Sequence, residues 1–209
     1  MQSATTLLPV HPLAVLKAVK QPRPYTLAEY LRREERSNAL HEYYNGIITK
    51  LPMAKGPHNL ITMNVGAALK NALKGADKKY LVMGGQQIVY LPALNFGLYP
   101  DVLVVVEAPE YWDGNQVLLT NPILIVEILS KSTRKYDRTE KFVEYKTLDS
   151  FQEYVLIEPE KCLIETRFRQ APNVWRDTLV KELSAAIHLN SLNIALELSD
   201  IYENIVFKK

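Results

Sequence analysis

Apolar residues along the chain change their spacing several times, and each change marks a structural element. Over residues 59–73, Leu60, Ile61, Val65, Ala68, Leu69 and Leu73 recur on one helical face, and Gly75 follows as a C-terminal cap. Thr26 followed by Glu29 has the pattern of a capping box, opening a helix over about residues 27–36. From Glu42 to Met53 the chain turns at Asn45-Gly46, a hairpin signal, into the strand-like Ile47, Ile48 and Leu51. Strands are then predicted for Tyr80 to Met83 continuing through Gln87 to Leu91, for Leu98 to Val106, and for Ile123 to Leu129. The last two are rich in Val, Ile and Leu with little alternation, as in central strands covered on both faces. Asp113-Gly114-Asn115 marks a turn between them. A helix is predicted from about Asp137 to Leu148. A hairpin of Tyr154 to Ile157 and Leu163 to Arg169 follows, turning through Glu158-Pro159-Glu160-Lys161. Leu192, Ile194, Leu196 and Leu198 alternate, and Asp200 to Val206 closes the chain. This order predicts one mixed α/β domain over residues 25–209, behind a loosely ordered arm of residues 1–24.

Composition narrows the class without naming a function. The 209 residues suit one large domain with a substantial core. A hydrophobic fraction of 47% and a charged fraction of 23% are ordinary for a globular protein. The net charge of +2 is too small to argue for nucleic acid, so any basic footprint must be local. Cys162 is the single cysteine, which excludes an internal disulfide and a cysteine-based zinc cage and fits a reducing compartment. No apolar run reaches the roughly 18 residues of a membrane span. The apolar stretch Leu7 to Leu16 is broken by Pro9 and Pro12 and lacks the flanks of a signal peptide, so a cytoplasmic location is expected.

The chemistry is concentrated in two acids. Asp101 and Glu127 each interrupt an otherwise apolar strand, in Tyr99-Pro100-Asp101-Val102-Leu103 and Ile125-Val126-Glu127-Ile128-Leu129. An ionised carboxylate there is costly unless it is paired, exposed at a strand end or bound to a metal. Two on successive buried strands point to a shared hard cation such as Mg2+, which takes oxygen ligands and can polarise a phosphoryl oxygen. The competing explanations are a turn carboxylate after Pro100 for Asp101 and an ion pair with a Lys or Arg for Glu127.

Downstream, Asp137, Lys141 and Tyr145 lie four apart and share one helical face that could turn toward the acids. A lysine beside a scissile phosphate would stabilise developing charge or orient the attacking water. Asp137 with Glu140 also has the pattern of a capping box, and Asp137 with Lys141 that of an ordinary i,i+4 ion pair. From Lys131 to Lys146 there are six basic and three acidic residues, a local excess that fits a phosphate backbone or a solvated helix face.

Taken together, Asn45-Gly46, Pro57-His58, Pro100-Asp101-Val102, Val126-Glu127-Ile128-Leu129-Ser130-x-Ser132-Thr133 and Asp137-x-x-x-Lys141-x-x-x-Tyr145 resemble the Uma2 family of restriction-endonuclease-like proteins. That family is common in cyanobacteria and falls in the PD-(D/E)XK nuclease superfamily. The resemblance runs from about Tyr25 to the carboxyl end and is most specific in the block after Glu127. It implies a restriction-endonuclease-like core sheet flanked by helices, with Asp101 and Glu127 as the metal-binding acids. Glu42 matches a position where relatives contribute another acid to the metal, and His58 matches the family's histidine. The superfamily lysine stands two residues after the second acid, where this chain has Leu129. Lys141 could supply that function from the following helix, with Lys131 as the less favoured substitute.

The expected function is therefore a Mg2+- or Mn2+-dependent nuclease acting on nucleic acid, DNA first, with Asp101, Glu127 and Lys141 as its catalytic set. A homodimer would suit the cutting of two strands. The rival readings are an inactive nucleic-acid-binding module of the same fold and an interaction protein whose acids are held in ion pairs. Gly84-Gly85 reads as a bulge or close backbone approach. Gln86 or Gln87 could reach the site, Trp112 and Trp175 read as packing residues, and His188 stands apart from the other motifs.

Overall fold

A computed structural model describes residues 23–114 and 116–207. The arm predicted for residues 1–24 therefore lies outside the described residues up to residue 22, as does Asn115 of the predicted turn. Among the described residues, thirteen strands fall into sheets of six, five and two, accompanied by five α-helices. No helix among them is long and apolar enough to cross a membrane.

Helix α1 (Leu27–Glu34) is closed at its start by the expected capping box. Thr26 Oγ1 accepts the Glu29 amide at 3.2 Å, and Glu29 Oε2 accepts the Thr26 amide at 2.8 Å. Strands β1 (His41–Tyr44) and β2 (Ile47–Lys50) form the expected hairpin, with Asn45 at φ 45° and Gly46 at φ 99°. A side chain at Gly46 would also meet Pro24 Cβ at 2.7 Å, so both backbone angle and space require glycine. Helix α2 (Gly56–Ala72) takes Pro57 in its first turn and buries Ile61, Val65 and Leu69.

The two long strands expected next are each cut in two. Strands β3 (Tyr80–Gly84) and β4 (Ile88–Leu91) belong to different sheets, and so do β5 (Phe96–Leu98) and β6 (Val102–Val106). The antiparallel pair β3–β6 lies in the six-stranded sheet and the pair β4–β5 in the five-stranded one, so the runs β3–β4 and β5–β6 pass between the sheets at the same level. The crossing is tight at Gly85, where a Cβ would lie 3.4 Å from the Asp101 carbonyl oxygen. Pro100, which cannot donate to a ladder, occupies the break on the other strand.

Strand β7 (Leu118–Leu119) edges the five-stranded sheet, whose order is β2-β1-β5-β4-β7. Strand β8 (Leu124–Ile128) enters the six-stranded sheet. The expected helix over residues 137–148 is instead two short ones, α3 (Arg134–Arg138) and α4 (Glu140–Tyr145), separated at Thr139 by its non-helical ψ of −86°. Strands β9 (Glu153–Ile157), β10 (Ile164–Ala171) and β11 (Val174–Val180) complete the order β11-β10-β9-β8-β6-β3. Strands β12 (Ala186–Leu189) and β13 (Ile194–Glu197) form the two-stranded sheet, and α5 (Leu198–Ile201) follows.

The six-stranded sheet carries apolar layers on both faces. Val102, Val104, Val126 and Ile128 pack with Ile61, Val65 and Leu69 of α2 and with Ile187, Leu196 and Ile201. Leu103, Val105, Ile125 and Leu129 pack on the other face with Tyr136, Tyr145 and Phe151, and with Val89 and Leu98 of the second sheet. Because side chains alternate along a strand, Asp101 and Glu127 share this second face with Leu103 and Ile125.

Glu153 anchors the two-stranded sheet from below. Fully buried, it accepts the Asn190 amide at 3.1 Å, the Ser191 amide at 2.9 Å and the Ser191 hydroxyl at 2.7 Å. Glu153→Ala is expected to cost roughly 3 kcal/mol in denaturant unfolding, since three part-buried donor contacts lose their acceptor. Amide exchange over residues 186–197 should accelerate with it.

Candidate active site

Strand pairing sets the first two acids side by side. Val102 pairs with Val126 in the antiparallel β6–β8 ladder, so one step further along Asp101 stands opposite Glu127. The Ile128 amide donates to Asp101 Oδ2 at 2.7 Å across the same junction. Like charges opposed in this way repel, and a cation is needed between or beside them.

Helix α4 delivers that cation. The buried Lys141 ammonium lies 2.8 Å from Glu127 Oε1, 3.3 Å from Glu42 Oε1 and 3.9 Å from Asp137 Oδ1. Glu42 reaches it from β1, in the other sheet, and Asp137 from α3. All four side chains are buried. Burial opposes the charge on Lys141, but the carboxylates around it, Glu127 foremost, outweigh that penalty and hold the ammonium well above its ordinary range. Burial pushes the Glu127 carboxyl well up, with Lys141 opposing the shift and Asp137 and Asp101 adding to it. Burial likewise raises Asp137 to about 6, against the pull of Lys141 and a Thr133 hydrogen bond.

The remaining contacts fix orientation. Tyr145, one turn beyond Lys141, donates to Glu127 Oε1 at 3.2 Å. Tyr44 donates to Glu42 Oε2 at 2.6 Å, and the Tyr99 amide donates to Glu42 Oε1 at 3.4 Å. His58, from the first turn of α2, places Nε2 3.2 Å from Asp101 Oδ1. Burial would lower the His58 imidazole, but the hydrogen bond and charge of Asp101 outweigh it and raise the group. The other ring nitrogen, Nδ1, is buried and has no hydrogen-bond partner among the described residues.

Leu129, two residues after Glu127, is fully buried in the core. Lys131 stands away from the acids, 78% exposed, and pairs at 3.4 Å with Glu160. The family model for Uma2, described as "Putative restriction endonuclease", matches residues 27–199. The chain belongs to the Uma2 family. Two uncharacterized proteins of Synechocystis sp. are similar over most of their lengths. One, sll1609, is 32% identical across 81% of this chain and 94% of its own. The other, slr1290, is 29% identical across 86% and 92%. The fold is shared with a crystal structure from Anabaena variabilis titled a "putative nuclease belonging to DUF820". Its TM-score is 0.70 at 19% identity, covering 88% of this chain and all of that one. The Uma2 chain thus has the restriction-endonuclease-like mixed α/β fold.

Asp101, Glu127, Glu42, Lys141 and His58 all meet at this place in the Uma2 chain, whereas Lys131 does not. Gln87 is engaged elsewhere, donating to the Val117 carbonyl at 2.6 Å, and Gln86 is exposed. Trp175 packs edge-on against Phe142 and Trp112 leans on Tyr90. Asp137 is more than a cap or a helix-surface ion pair, because it sits within α3 and is buried. Tyr44 was readable beside Glu42, since residues two apart on a strand share a face; Tyr99, Tyr136 and Glu144 carried no such local signal.

Two outcomes follow from this geometry. Lys141→Met should destabilise the fold by roughly 3–5 kcal/mol in denaturant unfolding, because buried carboxylates lose their counter-ion. Asp137 binds its proton more tightly folded, at about 6, than at the ordinary 3.8, so its contribution to stability falls as pH rises between those values. Asp137→Asn should flatten that decline and leave the variant the more stable near neutral pH, as read from melting temperatures across the range.

Proposed function

We propose that this Uma2 protein is a metal-dependent nuclease that hydrolyses phosphodiester bonds, with DNA as its substrate. The observation that carries the reading is one ammonium, that of Lys141, set against Glu127 and Glu42 beside the opposed pair Asp101 and Glu127. Among the described residues no three His, Cys, Asp or Glu side chains are gathered as a ready-made metal cluster. A hard divalent ion does not need one, since one or two carboxylates with water and substrate phosphate suffice. The donor chemistry fits: four acids, Glu42, Asp101, Glu127 and Asp137, converge on one lysine and one histidine.

Asp101 and Glu127 would hold Mg2+ or Mn2+, which supplies Lewis-acid polarisation of a phosphoryl oxygen and a more acidic water when bound. Glu42, with its oxygens turned to Lys141, Tyr44 and Tyr99, is assigned to holding the lysine. His58 and the Ile128 amide orient the Asp101 carboxylate. Lys141 keeps a full positive charge beside Glu127, where it stabilises negative charge developing on phosphate and orients the attacking water. Cutting two strands is simplest with two copies of such a site, and a homodimer belongs to the same reading.

Calorimetric titration of Mg2+ and Mn2+ into the protein and its Glu127→Ala variant is the first test. Binding that disappears in the variant supports the reading, and absence of binding to both overturns it. With duplex DNA, Asp101→Ala and Glu127→Ala should reduce cleavage to background, while Lys141→Ala should lower turnover by about 10²–10³-fold. Lys131→Ala should change little. Salt-dependent DNA binding with no cleavage under any of these ions would leave an inactive binding module of the same fold.

A further inference from the structure

Helix α1 and the start of β1 line a cavity of about 540 Å³. His41 and Ile48 belong to its wall, which places it on the face of the five-stranded sheet opposite Glu42, the residue after His41. The lining is strongly charged, and its two acids are already committed. Glu29 accepts from Arg23 and from the Thr26 amide at the start of α1. Glu34 accepts the His41 amide at 2.7 Å and the Tyr99 hydroxyl at 3.0 Å, and its Oε2 stands 2.9 Å from His41 Nδ1.

The arginines of the lining are not so matched. Arg32, Arg33 and Arg36 are exposed, and among the described residues none of them pairs with a carboxylate. Residues 1–22 contain no Asp or Glu that could neutralise them. Arg33 lies 4.9 Å over the Tyr25 ring, a contact that orients the guanidinium without cancelling its charge. A helix C-terminus favours cations, but its dipole offsets only roughly half a unit of charge. Three guanidiniums around one concavity therefore leave an excess that an anion would satisfy. A carboxylate offers two oxygens, too few for three guanidinium forks, whereas a phosphate offers enough for all of them.

We propose that this cavity is a phosphate-binding subsite in which Arg32, Arg33 and Arg36 hold one phosphate group. In the nuclease reading, that group belongs to the strand being cut and lies beside the scissile phosphate. One residue spans the two places. The Tyr99 amide donates to Glu42 Oε1 and its hydroxyl donates to Glu34 Oε1, so the cavity wall and the acids around Lys141 are a single tyrosine apart. The assignment to a nucleic-acid strand rests on the nuclease reading, whereas the phosphate chemistry does not.

Inorganic phosphate titrated into the full-length protein, in EDTA and at constant ionic strength, tests the subsite through amide chemical shifts. Shifts should saturate over residues 29–41 in the wild type and vanish in the Arg32→Gln/Arg36→Gln double variant. Both arginines are exposed, so the variant should melt at the wild-type temperature. Absence of saturating shifts there, or shifts unchanged in the variant, would overturn the subsite. The second arm is binding of duplex DNA in EDTA as salt is varied. With one phosphate no longer neutralised, the slope of log K against log salt should fall in magnitude by about 1 in the double variant. Phosphate binding with an unchanged DNA slope would overturn the strand assignment and give the cavity to a free phosphate compound. A wild type that binds phosphate but no DNA would count against the nuclease reading and not against the subsite.

Discussion

A single buried ammonium organises this molecule. Lys141 is nearly inaccessible to solvent, and the acids it binds come from β1, β8 and α3, parts of the chain up to about a hundred residues apart. A charge so enclosed is tolerable only where opposite charges surround it, and the carboxylates are tolerable only because it is there. The two sheets and the helical segment over them are therefore held to one another by an electrostatic knot as well as by apolar packing. An apolar replacement of similar shape could make the fold as stable or more so if all partners changed together. Keeping the charges costs stability that chemistry would repay.

The sheets contribute through where they separate. Two adjacent runs of chain, β3–β4 and β5–β6, cross between the sheets at one level, near Gly85 and Pro100, and Asp101 follows directly after the break. Its carboxylate can therefore accept a main-chain amide of β8 and face a histidine from α2 at the same time. In an uninterrupted strand, that amide would be occupied by the ladder. The break is what frees backbone donors for a side chain.

Much of this was legible in the sequence where the signal was local. The apolar period of α2, the capping box at Thr26 and the Asn45-Gly46 hairpin need only neighbouring residues to be recognised, and all three stand in the structure. Asp101 and Glu127 were conspicuous because an acid in an apolar strand is expensive, and the structure brings them together. The sheet switches were hidden, because Leu98 to Val106 reads as one apolar run whether or not Pro100 divides it between two sheets. Strands β11 and β12 were missed for a related reason: β11 is mostly exposed and carries little apolar alternation. The break at Thr139 depends on packing under α3 and α4, and no residue there is a strong helix breaker. Tyr136 and Glu144 lie on either side of that break, so the spacing of one continuous helix does not relate them.

A lysine on the same strand as its acid would sit at a separation dictated by the pleat, fixed for every sequence that adopts the fold. Here the ammonium rides on a short helix whose Phe142 and Tyr145 rings pack against Phe151 and Tyr154, some edge to face and one pair stacked. Its distance from Glu127 is thus a mechanical property of that aromatic bed. Selection could retune the lysine by altering ring size several ångströms away, while every charged residue stayed in place.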